Sequence, residues 1–345
     1  MRTLGPRDLN RAVLARQLLL ERAATGVPRA LERVAGIQAQ YAPAMYIGLW
    51  SRLAGYERGH LTTALERRTV VQGTLQRATI HLVSAQDYWP FALAVREERR
   101  RWWLGASRHA HSADDLAATA ERLRTHLREH GPVRRKELEA LVGRERIHAI
   151  GLWLDLVRVP PSGTWERRRA DLFAAAEDWL GPPPDDLDAE SAVSHVVGRY
   201  LGGFGPATVA EIANWAGLRN QTVTTALHGL RLRRFRAEDG SELVDLPRAP
   251  LPGPATPAPV RLLPTWDAVL LAHARRAAIL PEELRPRIFN TKMPQSVNTF
   301  LVDGQVAGTW RVDGSRVAIE AFLPLPAEVR DQLEAEADRM AAFHT

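Results

Sequence analysis

Apolar positions in the first third of the chain recur at helical spacing. Leu9, Val13, Leu14, Leu18 and Leu19 predict an amphipathic helix over Arg7 to Glu21, with Asp8 or Asn10 as its cap. Pro28 opens a second helix, where its missing N–H costs nothing, and Leu31, Val34 and Ala35 face the core. Further helices are expected over Pro43–Ala54 and Gly59–Glu66. From Thr69 to Leu82 the pattern changes to β-branched alternation, which predicts strands. Helices followed by a short ribbon is the winged-helix order. A helical segment then runs from Asp87 to Trp103, with charges packed from Arg96 to Arg101 and tryptophans at 89, 102 and 103. Such a face is either solvated or tracks phosphates and stacks on bases. A loop is expected from Gly105 to Ser112.

The middle of the chain repeats itself. Gly131-Pro132-Val133-Arg134-Arg135-Lys136-Glu137-Leu138 and Gly205-Pro206-Ala207-Thr208-Val209-Ala210-Glu211-Ile212 match in layout. Each follows an apolar helix (Leu116–His130, Ala192–Leu201). Each precedes a second helix (Glu145–Leu156, Asn220–Leu230) and a strand-like ribbon (Val157–Phe173, Arg231–Leu246). A Gly-Pro opening a short helix before a longer one is a helix-turn-helix arrangement, and the ribbon is its wing. Gly181-Pro182-Pro183-Pro184-Asp185-Asp186 and Pro247–Pro259 read as linkers. Beyond them Val260–Leu263, Val297–Val302, Gln305–Val312 and Arg316–Phe322 read as strands. Asp303-Gly304 and Asp313-Gly314 are their turns, and Pro326–Phe343 is a terminal helix. The expected fold class is α+β, mainly helical: three tandem winged-helix units plus a C-terminal β-rich partial barrel. The divisions fall at 1–112, 113–184, 185–248 and 260–345.

Composition narrows the chemistry. The 345 residues suffice for two or three domains, with ordinary apolar (45%) and charged (25%) content. The absence of cysteine excludes disulfides, thiolate catalysis, zinc fingers and iron–sulfur clusters, and fits a reducing cytoplasm. No apolar leader or membrane-length apolar run is present, so a cytoplasmic location without membrane contact is expected. The net charge is +6, almost all of it arginine; Lys136 and Lys292 are the only lysines. That balance suits a polyanion, and replacement of lysine by arginine also marks a GC-rich genome.

The candidate chemistry centres on Gly36-Ile37-Gln38-Ala39-Gln40-Tyr41-Ala42-Pro43. Positions two apart do not share a face of a helix, but in extended chain they do. Gly36 is a helix terminator, and Pro43 disfavours helical backbone at Ala42. Gln38 and Gln40 therefore leave a helix end on the same side, with Ile37 and Ala39 turned inward. Two amides so placed are either solvated surface or a holder for a water or a flipped base. Other chemistries find little support. There is no Walker pattern and no Gly-x-Ser-x-Gly elbow, and Gly202-Gly203-Phe204-Gly205 is a turn rather than a dinucleotide loop. His109-Ala110-His111 and the His126, His130 pair have loose metal-ligand spacing without a third ligand, so no metal is expected.

Gly36-Ile37-Gln38-Ala39-Gln40 resembles the Gln-apolar-Gln motif of the AlkZ/AlkX-type winged-helix DNA glycosylases. Three later stretches resemble the same family, in order. They are Gln76-Arg77-Ala78-Thr79-Ile80-His81-Leu82; Leu263-Pro264-Thr265-Trp266-Asp267 with Leu271-Ala272-His273; and Leu301-Val302-Asp303-Gly304 through Gly308-Thr309-Trp310-Arg311. The resemblance implies three winged helices in a C-shaped body with the Gln motif in its concave basic channel. It implies a monofunctional glycosylase without a Schiff-base lysine, acting on N7-alkylguanine, including bulky or cross-linking natural-product adducts. The second motif position is Gln40, as in the branch tied to antibiotic self-resistance; the general-repair branch carries Asp there.

On this reading Gln38 and Gln40 are the catalytic pair. Arg77, Thr79, His81, Tyr41, Trp266, Asp267 and Lys292 are supporting or DNA-binding residues. Asp267 could orient His273, and the polar stretch Asn290 to Gln295 could enter a groove. Trp266 and Asp267 also suit a purely structural role at a domain junction. The implied partner is double-stranded DNA containing alkylated purines, bound by a monomer in the cytoplasm near the nucleoid, with no cofactor of any kind. The rival reading is a non-catalytic winged-helix DNA binder or transcriptional regulator, though such regulators usually dimerise on symmetric sites.

Overall fold

The computed structural model describes residues 1–106, 111–271, 277–289 and 296–345. The chain opens with β1 (Thr3–Leu4) and α1 (Pro6–Arg16). Helix α1 is shorter than its apolar pattern suggests. Gln17 caps it, Leu18 turns left-handed (φ 59°), and both remain buried. Asp8 accepts from the Gly5 backbone N–H at the helix start, whereas Asn10 lies buried and donates to the carbonyls of Ala278 and Gly304.

Three segments then share one order: helix, very short strand, two helices, two-stranded ribbon. The first runs through α2 (Val27–Val34), β2 (Ile37–Gln38), α3 (Ala42–Arg52), α4 (Arg58–Glu66), β3 (Val70–Thr74) and β4 (Ile80–Ser84). A long helix, α5 (Ala85–Ala106), leads on. The second has α6 (Ala113–His130), β5 (Val133–Arg134), α7 (Arg135–Val142), α8 (Ile150–Trp153), β6 (Leu156–Arg158) and β7 (Leu172–Ala175). After α9 (Ala176–Leu180), the third has α10 (Ala189–Phe204), α11 (Val209–Ala216), α12 (Asn220–His228), β8 (Arg233–Ala237) and β9 (Glu242–Asp245). Its short strand is reduced to a bridge between Ala207 and Val244. Thr208 and Glu211 form the reciprocal N-terminal cap that Thr-x-x-Glu encodes.

The second segment departs from its expected layout at two points. The helix anticipated over Glu145–Leu156 is only α8, because Gly143 leaves α7 with positive φ and Arg146 folds back onto Asp115 of α6. The ribbon anticipated over Val157–Phe173 is two short strands around a folded loop, residues 159–171, whose Trp165 is buried.

The first two segments are joined edge to edge. Strand β3 pairs antiparallel with β6, with Gln72 opposite Arg158 and Gly73 opposite Val157. The result is one six-stranded sheet of order β2-β4-β3-β6-β7-β5, in which each short strand lies outermost. The third segment attaches differently. Helix α10 packs along α5 and against α1 and α2, and β1 joins its ribbon by pairing parallel to β8. One apolar cluster accordingly runs from Val71, Val83 and Phe91 to Tyr200, Phe204 and Trp215. A second links α2–α4 to the C-terminal region, and α6–α8 have a small cluster of their own.

Beyond the linker come β10 (Arg261–Leu263), α13 (Ala268–Leu271), α14 (Arg285–Ile288), β11 (Thr299–Val302), β12 (Gln305–Asp313), β13 (Arg316–Ala321) and α15 (Ala327–His344). The expected partial barrel is instead an open antiparallel sheet of order β10-β11-β12-β13, with β10 and β13 at its edges and α15 packed on it. The sheet docks on α1 through its Asp303-Gly304 turn. A Cβ at Gly304 (φ 81°) would fall 2.6 Å from Asn10 Oδ1 and Leu14 Cδ1, so only glycine fits. Beside it, the fully buried guanidinium of Arg11 pairs with the Asp303 carboxylate. No helix among the described residues is long and apolar enough to cross a membrane.

Candidate active site

The Gln motif is built by the way α2 stops. Val34 is its last helical residue, and Ala35 (φ 63°) and Gly36 (φ 80°) both turn left-handed. A Cβ at Gly36 would come 3.0 Å from Val83 and 3.2 Å from the Leu82 carbonyl, so glycine allows the chain to close on β4. Ile37 then pairs with Leu82 and Gln38 with His81, and the Ala39 N–H donates to the Ile80 carbonyl (2.7 Å). Strand alternation turns Ile37 and Ala39 into the core. It puts the two glutamines on one side, where the Gln38 amide N–H donates to the Gln40 carbonyl oxygen. Gln38 is buried, Gln40 is exposed, and α3 begins two residues later.

Opposite Gln38 in the β2–β4 ladder lies His81, 4% exposed. Its Nδ1 is 3.0 Å from the Thr79 carbonyl. A carbonyl can only accept, so Nδ1 carries the proton and Nε2 presents a lone pair. Burial, reinforced by the nearby Arg77 and Arg99 charges, holds the imidazole pKa down to about 3. The ring is therefore neutral at any physiological pH.

His81 is held by a strained turn. Arg77 (φ 50°) and Ala78 (φ 56°) are successive non-glycine residues in the left-handed region, at a cost of about 1–2 kcal/mol each. Thr79 closes the turn on the Gln76 carbonyl through both its N–H and its hydroxyl. The Arg77 guanidinium donates to the Trp215 carbonyl in the last turn of α11, where a cation also meets the negative end of the helix dipole. Burial lowers the Arg77 pKa. Arg77, Thr79 and His81 are thus joined in one turn that is tied to the third segment through the Trp215 carbonyl.

Tyr41 stands at the rim, 39% exposed, with its hydroxyl 3.3 Å from Arg168 of the loop between β6 and β7. Trp266 and Asp267 lie elsewhere, under α3. Asp267 receives two parallel N–H bonds of 2.8 Å from Arg52, the last residue of α3, and both side chains are 2% exposed. The Trp266 N–H donates to Ser296 Oγ. These two residues brace the helix that starts at the motif and are not gathered with the glutamines. Lys292, His273 and the stretch Asn290 to Gln295 lie outside the described residues, as do His109 and Ala110. His111 pairs with Asp115, and His126 stacks on His130 at 4.3 Å. No three potential metal ligands converge among the described residues.

Arg168 is the neighbour that sequence reasoning missed. The turn-forming run Pro160-Pro161-Ser162-Gly163 was the available signal that this stretch is a loop rather than a strand.

The net positive charge of the chain suits a polyanionic partner. The profile of the AlkZ-like DNA glycosylases matches residues 31–343, and the chain belongs to that family. It is a DNA glycosylase, with DNA as its substrate. Its fold is similar to that of Streptomyces sahachiroi DNA glycosylase AlkZ, with a TM-score of 0.83 over 99% of this chain and 97% of the other, at 18% sequence identity. No curated protein matches the sequence.

Proposed function

We propose that the enzyme hydrolyses the N-glycosidic bond of N7-alkylated guanine, with Gln38 and Gln40 positioning the water. The observation that carries this reading is the amide pair itself, hydrogen-bonded on one side of the chain beside a neutral His81. With its N–H given to Gln40, Gln38 keeps its carbonyl oxygen for a water near C1′, and Gln40 keeps a second lone pair and both N–H donors. Water adds its oxygen to C1′ and releases a proton to solvent. The electron pair of the C1′–N9 bond passes to the base and neutralises its cationic ring. Amides do not titrate, so they align the water and face the positive charge that develops on the sugar. Such positioning contributes about 10²–10³-fold in rate, sufficient only for a leaving group already activated by alkylation.

Gln40 in place of a carboxylate supports a role toward bulky natural-product adducts or cross-links, and so self-resistance. We read the three repeated segments as winged helices of a monomeric enzyme, divided near residues 112, 184 and 248 from one another and from the C-terminal sheet. A labelled duplex with a single N7-methylguanine, incubated with the enzyme and cleaved with alkali, tests the reading. Wild type should leave an alkali-labile site, and Gln38→Ala and Gln40→Ala should each slow its formation at least about 100-fold. Wild-type rates in both variants, or release of unmodified guanine as fast as the alkylated base, would sink it.

A further inference from the structure

We propose that the loop between β6 and β7 supplies a phosphate-binding clamp beside the glutamine pair, through Arg167, Arg168 and Arg169. The loop comes from the second segment but is fastened to the first. Trp165, 6% exposed, stands edge-on to Tyr46 of α3 and to Phe343 of α15, with ring centroids 5.6 Å away in each case. The buried Gln72 amide donates to the Gly163 carbonyl (2.9 Å).

Its internal bonding makes the loop rigid. The Gly163 N–H points at the carbonyls of Arg167 and Arg169, and the Thr164 N–H also donates to the Arg167 carbonyl. The Ser162 hydroxyl donates to the Arg169 carbonyl and accepts from the N–H groups of Asp171 and Leu172. A loop tied down this closely presents its side chains in one place, which lowers the entropy lost on binding.

What it presents is charge. Three consecutive arginines are exposed. Their nearby carboxylates are Asp171, which lies 3.5 Å from Arg169 but is shared with Arg134, and the exposed Glu166. Arg168 reaches the hydroxyl of Tyr41, the residue after Gln40, so one arginine of the cluster meets the residue next to the pair. Duplex DNA seated on Gln38 and Gln40 would carry backbone phosphates across this loop, and guanidinium forks match phosphate oxygens two at a time. The clamp would hold the strand that carries the target nucleotide while the amides act on its sugar. This inference rests on DNA being the polymer acted on at the Gln38–Gln40 site, and is independent of which adduct is removed.

The test is the triple variant Arg167→Gln/Arg168→Gln/Arg169→Gln. Affinity for an undamaged duplex is measured by fluorescence anisotropy between about 50 and 200 mM NaCl, and single-turnover excision of N7-methylguanine at saturating enzyme. Each lost phosphate contact lowers the slope of log affinity against log salt by about 0.9, so three contacts reduce the salt-driven loss of affinity over that range about 40-fold. The all-lysine variant should recover most of the slope, because lysine still binds phosphate as a point charge. A slope equal to wild type overturns the proposal. A reduced slope in an enzyme whose wild type leaves N7-methylguanine intact upholds the clamp and removes the substrate reading instead. A slope lost equally in the lysine variant would mean that a disturbed loop, not its charge, is responsible, and would also overturn it.

Discussion

Acidification gives a direct measure of how tightly His81 is closed off beside the glutamine pair. His81 has an ordinary pKa of 6.5 when the chain is unfolded and about 3 in the folded protein. Between those values the unfolded chain binds one proton more than the folded one, so stability falls as pH falls. The loss is about 1.4 kcal/mol per pH unit for one proton, or about 2 kcal/mol from about pH 7 to about pH 5. That is a sizeable part of the roughly 5–15 kcal/mol that holds a domain folded. With a urea dependence of about 3–4 kcal/mol per molar, the midpoint should move down by about 0.5–0.7 M. Other carboxylates and histidines titrate over the same range, so wild type is compared with His81→Gln, which can still donate to the Thr79 carbonyl but carries no titrating group. Urea unfolding followed by circular dichroism at half-unit pH steps should give two curves that separate below about pH 6.5. The variant should become relatively more stable with each step. Parallel curves would mean that His81 can take up a proton in the folded state, and the neutral imidazole deduced beside the glutamines would be wrong.

Two other expectations follow from the same structure. Because neither amide titrates and His81 is already neutral, single-turnover excision should be flat from about pH 6 to about pH 9; a limb with a slope of one in that window would reveal an acid or base the mechanism lacks. Asp267→Ala leaves the Arg52 guanidinium buried without its carboxylate and should cost about 3–5 kcal/mol in chemical denaturation. Adding Arg52→Met should restore much of that loss, and a single-variant cost below about 1 kcal/mol would show that the pair is not what braces α3.

Local features were legible in the sequence, and contacts between distant segments were not. The Gly-Pro repeat and the alternation of Gln38 and Gln40 each act within a few residues, and each has its counterpart in the fold. The seam between β3 and β6 left no local trace, since both strands are short and either could have ended a sheet. Nor did the chain announce that Asp267 would be taken up by Arg52, 215 positions away, or that β1 would join the third ribbon. His81 stood out as a supporting residue through the family resemblance, but its burial did not. Its burial depends on Gln38 pairing alongside it, a non-local event. The arginines at 167–169 fell within the ribbon expected over Val157–Phe173 despite the turn-forming Pro160-Pro161-Ser162-Gly163, and only the fold of the loop carries Arg168 to Tyr41.

The joining of two ribbons also determines how the protein ends its own β-structure. An exposed strand rim is a template on which other chains can polymerise. Here both outer members of the six-stranded sheet, Ile37–Gln38 and Val133–Arg134, are two residues long. A passing strand would find too few free amides and carbonyls to take hold. The longer strands β3 and β6 cover one another's rims at the centre. Separating the segments removes that protection: a fragment ending near residue 112 would lose the partner of Gln72 and Gly73 and leave the rim of Val70–Thr74 open to other chains.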